Sequence, residues 1–130
     1  MTATWESHGA EEELHVVAPT PEQVVDEAAA ALGRLVERNT EGSPARHELV
    51  VSGAGRAAQL VALLEELIFL ADTEGFVADE TEATFEEDRL RVHVRGRVTA
   101  VDPLVKAATY HGLSFEQQGD LWHARVVLDV

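Results

Sequence analysis

An α+β fold is the class this sequence predicts: a two-layer sandwich with two helices packed on a mostly antiparallel β-sheet. Two long segments carry apolar residues at helical spacing, and the stretches around them alternate apolar and polar residues with the period of strands. Short turns at Glu87-Asp88 and Gly119-Asp120 join strand pairs as hairpins. At 130 residues the chain has the length of one ordinary domain, so a single domain spanning residues 1–130 is expected.

The elements follow in order. Leu14 to Ala18 reads as a short strand. Thr20-Pro21-Glu22-Gln23 starts a helix: Thr20 can cap it, Pro21 suits the first helical position, and Gln23 completes a capping box. Val24, Val25, Ala28, Leu32, Leu35 and Val36 then form an apolar stripe, giving a helix from Pro21 to Arg38. Asn39 to Arg46, with Gly42, Ser43 and Pro44, is expected to be a loop. Glu48 to Ser52 is a strand, broken by Gly53 and Gly55. A second helix, Arg56 to Asp72, is apolar around more than one face and should be the more buried; Gly75 stops it. Phe76 to Glu86 reads as a polar edge strand. Arg89 to Gly96 alternates, with Leu90, Val92 and Val94 inward and Arg89, Arg91, His93 and Arg95 outward. That basic outer row reads as a solvated face, with a docking stripe as the other reading. Leu113 to Gln117 and Leu121 to Val130 form the last hairpin, with Trp122, Ala124, Val126 and Leu128 on one face.

Composition narrows the function classes. Apolar residues make up 45% of the chain, enough for a packed core, while aromatics at 5% leave that core to Val, Leu and Ala. The absence of cysteine excludes disulfides, Cys-based zinc sites and thiol nucleophiles, and suits a reducing cytoplasm. The polar, acidic stretch Met1 to Glu13 does not read as a signal peptide, and Glu65 and Glu66 interrupt the longest apolar segment, so a soluble, cytoplasmic protein is expected. Asp and Glu number 24 against 10 Lys and Arg, a formal charge of −14. Such a surface repels phosphate backbones and anionic lipid, so no direct nucleic-acid or membrane partner is expected. Charge that merely aids solubility is the plain alternative. No nucleophile, base and acid set stands out around Ser7, Ser43, Ser52 or Ser114, and Gly53-Ala54-Gly55 lacks the spacing of a phosphate loop.

Val105-Lys106-Ala107-Ala108-Thr109-Tyr110-His111, followed by Trp122 and by Val126-Val127-Leu128-Asp129-Val130, resembles the archease signature. His8-Gly9-Ala10-Glu11 stands where that family has His-Thr-Ala-Asp, and the Ala18–Glu22 segment and the apolar helix Leu63–Asp72 also fit. The chain departs at Gly9 and Glu11, at Glu12 and Glu13, where the family prefers apolar or small residues, and at Arg97. The resemblance implies an accessory protein of RtcB-type RNA ligases in tRNA splicing and RNA repair. It would promote the ligase's GTP-dependent guanylylation and multiple turnover without being an enzyme itself.

By the same resemblance, Glu11, Asp129 and the carbonyl of Val130 are the expected metal ligands. Oxygen donors of this kind suit a hard divalent ion such as Ca, Mg or Mn. Lys106 and His111 are the candidates for ligase activation. Lys106, the one lysine beside nine arginines, could hold Asp129 or Glu11 or meet a partner's phosphate. His111 and His8 could ligate metal or shuttle a proton. Each has a plain reading beside it: a solvated acid for Glu11 or Asp129, a surface lysine for Lys106, a hydrogen-bonded structural histidine for His8 and His111. Thr109 and Tyr110 are expected to pack. Two further functions stay open: a small metal-dependent phosphoester hydrolase using Glu11 and Asp129, and an acidic binding or chaperone-like module. The oligomeric state is not legible.

Overall fold

The computed structural model describes residues 1–38, 40–101 and 105–130. Along the chain run β1 (Thr2–His8), β2 (Glu11–Ala18), α1 (Pro21–Val36), β3 (Ser43–Ser52), α2 (Arg56–Glu74), β4 (Phe76–Glu86), β5 (Arg89–Val98), β6 (Ala107–Gln118) and β7 (Leu121–Asp129). The α+β class holds, and every strand pairing is antiparallel. The strands divide into two sheets where one was expected, ordered β1-β2-β7-β6 and β3-β5-β4. Each helix touches strands of both sheets, so one apolar cluster runs through the interior.

The largest differences from the sequence reading are at β1, β3 and β6; β2 also begins earlier, at Glu11 rather than Leu14, α1 ends at Val36 rather than Arg38, and α2 and β5 each run two residues longer. β1 was not expected, because Thr2, Thr4, Ser7 and the exposed Glu6 mask its strand period; it is an edge strand that turns only Ala3 and Trp5 toward the core. β3 begins at Ser43, so Ser43 to Arg46 are strand rather than loop; Asn39 of that stretch lies outside the described residues. Pro44 is tolerated there because β3 is an edge strand, where a missing N–H costs no ladder bond. β6 starts at Ala107 rather than Leu113. Its register with β7 shifts between Thr109 and Ser114, and that irregularity hides the alternation. β4 keeps its expected bounds and its edge position.

α1 starts as its residues dictate. Thr20 Oγ1 accepts from the Gln23 N–H at 3.1 Å, and Pro21 needs no partner at the first turn. The capping box closes differently from expectation: the Thr20 hydroxyl donates to Gln23 Oε1, so Gln23 holds the cap's side chain rather than its backbone. Thr20→Ala is expected to lower stability by about 1 kcal/mol in urea unfolding, the usual worth of a side-chain cap. α2 buries Leu60, Leu63 and Leu64 completely and ends at Gly75, whose left-handed φ of 70° lets its N–H reach back to Ala71 O.

α1 also carries Asp26, which accepts a 2.7 Å hydrogen bond from the Thr81 hydroxyl on β4. Half-burial raises its pKa above the ordinary 3.8, the Thr81 bond opposes this, and Glu22, Glu27 and Glu82 add to the rise. The folded state therefore binds this proton more tightly than the unfolded chain. Ionised Asp26 weakens the fold above its raised folded pKa, and the penalty disappears as pH falls through that value toward 3.8. Asp26→Asn, which can still accept from Thr81, is expected to raise the melting temperature at pH 7. The gain should shrink toward pH 4; a gain independent of pH counts against the account.

Two arginines of the basic row of β5 are paired with acids. Arg91 pairs with Glu48 and Glu86, and Arg95 with Glu80, as the solvated-face reading expects. At the far end of β7 from Asp129, Phe85, Phe115 and Trp122 stack edge to face between the two sheets. Arg56 lies 5.1 Å from the ring centroids of both Phe85 and Trp122.

Candidate functional site

The chain's two ends meet on the four-stranded sheet. β2 and β7 run antiparallel in a register that sets Glu11 directly opposite Asp129, and β6 places Ala107 opposite Asp129 from the other side. The backbone locks this corner. The Lys106 N–H donates to Asp129 O at 2.8 Å, and the Val130 N–H donates to Ala10 O at 2.9 Å. Glu11, Lys106, Asp129 and Val130, drawn from both ends of the sequence, therefore share one end of the domain. Lys106 and Asp129 are exposed; Glu11 and Val130 are partly so.

Opposed like charges on adjacent strands repel. Among the described residues neither the Glu11 nor the Asp129 carboxylate has an ion pair or hydrogen bond to offset this. Two unpartnered carboxylates beside a terminal carbonyl make an oxygen-only donor set, which fits a hard divalent cation and would leave positions for water or a partner's ligand. The residues present thus fit the metal that the sequence resemblance implies.

His111 is not brought to this corner. It lies farther along β6, in the stretch between Thr109 and Ser114 where pairing to β7 lapses; it is exposed, and its N–H donates to Thr109 Oγ1. Tyr110, expected to pack, is instead 67% exposed, because the same irregularity turns it outward. Lys106 borders a shallow hollow on α2 lined by Glu65, Ile68, Phe69 and Asp72. Glu65, read only as an interruption of the apolar helix, accepts the Ala108 N–H at 2.8 Å and ties α2 to the start of β6. Phe69 stands 58% exposed beside it.

The sequence reading missed a second constellation on the same sheet face. Glu13, though a carboxylate, is buried. Arg125 of β7 pairs with it and also donates to Gly112 O at 2.7 Å. His8 Nε2 lies 3.2 Å and His15 Nε2 3.6 Å from Glu13 Oε2. Burial alone would raise the Glu13 pKa; the Arg125 charge, with His8 and then His15, outweighs it and leaves the carboxyl below its ordinary value. Glu12, the neighbouring departure from the family pattern, accepts the Ser7 hydroxyl. The signal that could have found this cluster is a repeated Glu-x-His, at Glu6–His8 and Glu13–His15, on two strands of one hairpin.

Comparison with known proteins shows the family and the fold. Residues 5–130 match the Archease protein family (MTH1598/TM1083). A protein archease of Methanopyrus kandleri is 30% identical, the match covering 97% of this chain and 99% of that one. The solution structure of a Methanobacterium thermoautotrophicum protein superposes with a TM-score of 0.76 at 21% identity, covering 98% of each chain. The crystal structure of a Thermotoga maritima protein, described as an archease and possible chaperone, gives a TM-score of 0.67 at 22% identity over 95% of this chain and 93% of that one. A match to the family across residues 5–130, with a relative 30% identical over nearly its full length, places this chain in the archease family.

Proposed function

We propose that this chain is a non-enzymatic activator of an RtcB-type RNA ligase, promoting its GTP-dependent guanylylation and multiple turnover in tRNA splicing or RNA repair. The observation that carries the reading is the meeting of Glu11 and Asp129 across β2 and β7, with Lys106 held beside them through its backbone. An acidic corner with one cation suits insertion near a partner's metal and nucleotide. The carboxylates would supply oxygen ligands to a divalent ion there, and Lys106 would meet phosphate. A ligase surface made basic for RNA would attract a chain of charge −14, and the association rate should fall with salt. Phe69, exposed next to Lys106, would add apolar contact at the rim. No helix among the described residues is long and apolar enough to cross a membrane.

The test is RNA ligation by a cognate RtcB-type ligase, with RNA in excess and with or without this protein. Stimulated turnover supports the proposal; a rate unchanged across several nucleotides and divalent metals sinks it. Phosphoester turnover by the chain alone would instead favour the hydrolase reading.

A further inference from the structure

A separate feature of the β1–β2 hairpin has its own chemistry. Glu6 and Glu13 sit directly opposite each other, so two carboxylates face one another on one side of the sheet. His8 and His15 flank them diagonally. His8 Nε2 is 3.8 Å from Glu6 Oε1 and 3.2 Å from Glu13 Oε2. His15 Nε2 is 3.8 Å from Glu6 Oε2 and 3.6 Å from Glu13 Oε2. Ligand atoms of Glu6, His8 and Glu13 all lie within 4.8 Å of one another.

The His15 Nε2 atom is buried and has no hydrogen-bond partner among the described residues, although its ring is partly exposed and the nitrogen faces both carboxylates. A buried ring nitrogen held only by ion-pair contacts of 3.6 and 3.8 Å, without a hydrogen bond, leaves room for a closer partner. Arg125 holds the other oxygen of Glu13, the role an outer partner plays in orienting a metal-bound carboxylate.

We propose that Glu6, His8, Glu13 and His15 form a binding site for a divalent transition-metal ion of the zinc or cobalt type, distinct from the Glu11–Asp129 corner. Two imidazoles and two carboxylates suit such ions better than calcium or magnesium, which prefer oxygen alone. Bonds of the usual zinc length set ligand atoms about 3.3–3.5 Å apart in a tetrahedron. The four His–Glu separations run from 3.2 to 3.8 Å; Glu6, His8 and Glu13 already converge within 4.8 Å, and His15, which lies outside that set, would have to turn inward to complete the shell. The charges also agree: two carboxylates and one guanidinium leave a net negative pocket for a dication.

Titrating tag-free, full-length protein with Zn2+ alone by calorimetry tests this. One equivalent should bind. His8→Gln and His15→Gln should each weaken binding by more than about 100-fold, beyond what loss of an outer partner usually costs. Asp129→Asn should leave it unchanged, which separates this site from the ligase-facing corner. Zn2+ should raise the melting temperature of the parent and of Asp129→Asn but not of His15→Gln, a readout that also shows the variants are folded. Absence of zinc binding by the parent, or unchanged affinity in both histidine variants, overturns the proposal and leaves His8 and His15 as ion-pair partners of the two acids.

Discussion

Asp129→Asn is expected to cut stimulation of multiple-turnover ligation by more than about tenfold, the range seen when a metal site loses a ligand or its support. The fold should not suffer. Asp129 is exposed, its backbone carbonyl would still accept from Lys106, and losing one of two opposed carboxylates relieves repulsion with Glu11. The unfolding midpoint should stay level or rise while stimulation falls. Two further variants separate a dedicated site from diffuse charge. Glu116→Gln removes an equal charge from an exposed position on β6, opposite His123 and far along the sheet. It should leave stimulation near the parent level. Lys106→Met makes the chain more negative; diffuse attraction would then strengthen, whereas a phosphate-contacting lysine would be missed and stimulation would drop. Equal losses in Asp129→Asn and Glu116→Gln, with none in Lys106→Met, would reduce the corner to bulk charge.

What could be read in the sequence, and what could not, follows from how local each signal was. α1, α2, β4 and both hairpin turns were legible because capping residues, a sustained apolar stripe or clean alternation lie within a few neighbouring positions. The pairing of Glu11 with Asp129 joins residues from opposite ends of the chain, so it was legible only through the family signature, not from spacing. β1 and the start of β6 escaped because one is polar along an edge and the other changes register partway. The cluster around Glu13 escaped for another reason. Three acids in a row read as a solvated run, and only the fold reveals that Glu11 and Glu13 share the outer face while Arg125 arrives from β7 to cover Glu13. A buried acid is recognisable in sequence when its partner is near; here the partner is more than a hundred residues away.

Gly33→Val tests a close approach of α1 to β4 in the molecule's interior and is expected to cost about 2–4 kcal/mol in denaturant unfolding. Judged by helix propensity alone the sign would be opposite: glycine in a helix interior costs about 1 kcal/mol relative to alanine, and even valine is a better helix former. The tertiary setting reverses this. Gly33 lies on the buried face of α1, and a Cβ there would run into the Ala78 carbonyl oxygen of β4, with Val77 Cγ1 at 3.3 Å. A backbone oxygen in a paired strand cannot swing aside as a side chain can. A crevice of about 10 Å3 between Ala29, Leu32, Leu67 and Phe76 is too small to take valine's γ-carbons. Relief must come from α1 moving off β4, which would loosen the packing of Val25, Ala29 and Leu32. Overpacking of this kind usually costs about 1–3 kcal/mol and more where backbone must shift. Gly33→Ala should fall between parent and valine variant, losing stability where an exposed helical site would gain it. If alanine stabilises the protein, α1 and β4 stand farther apart than this contact requires, and the glycine is there for some reason other than close approach.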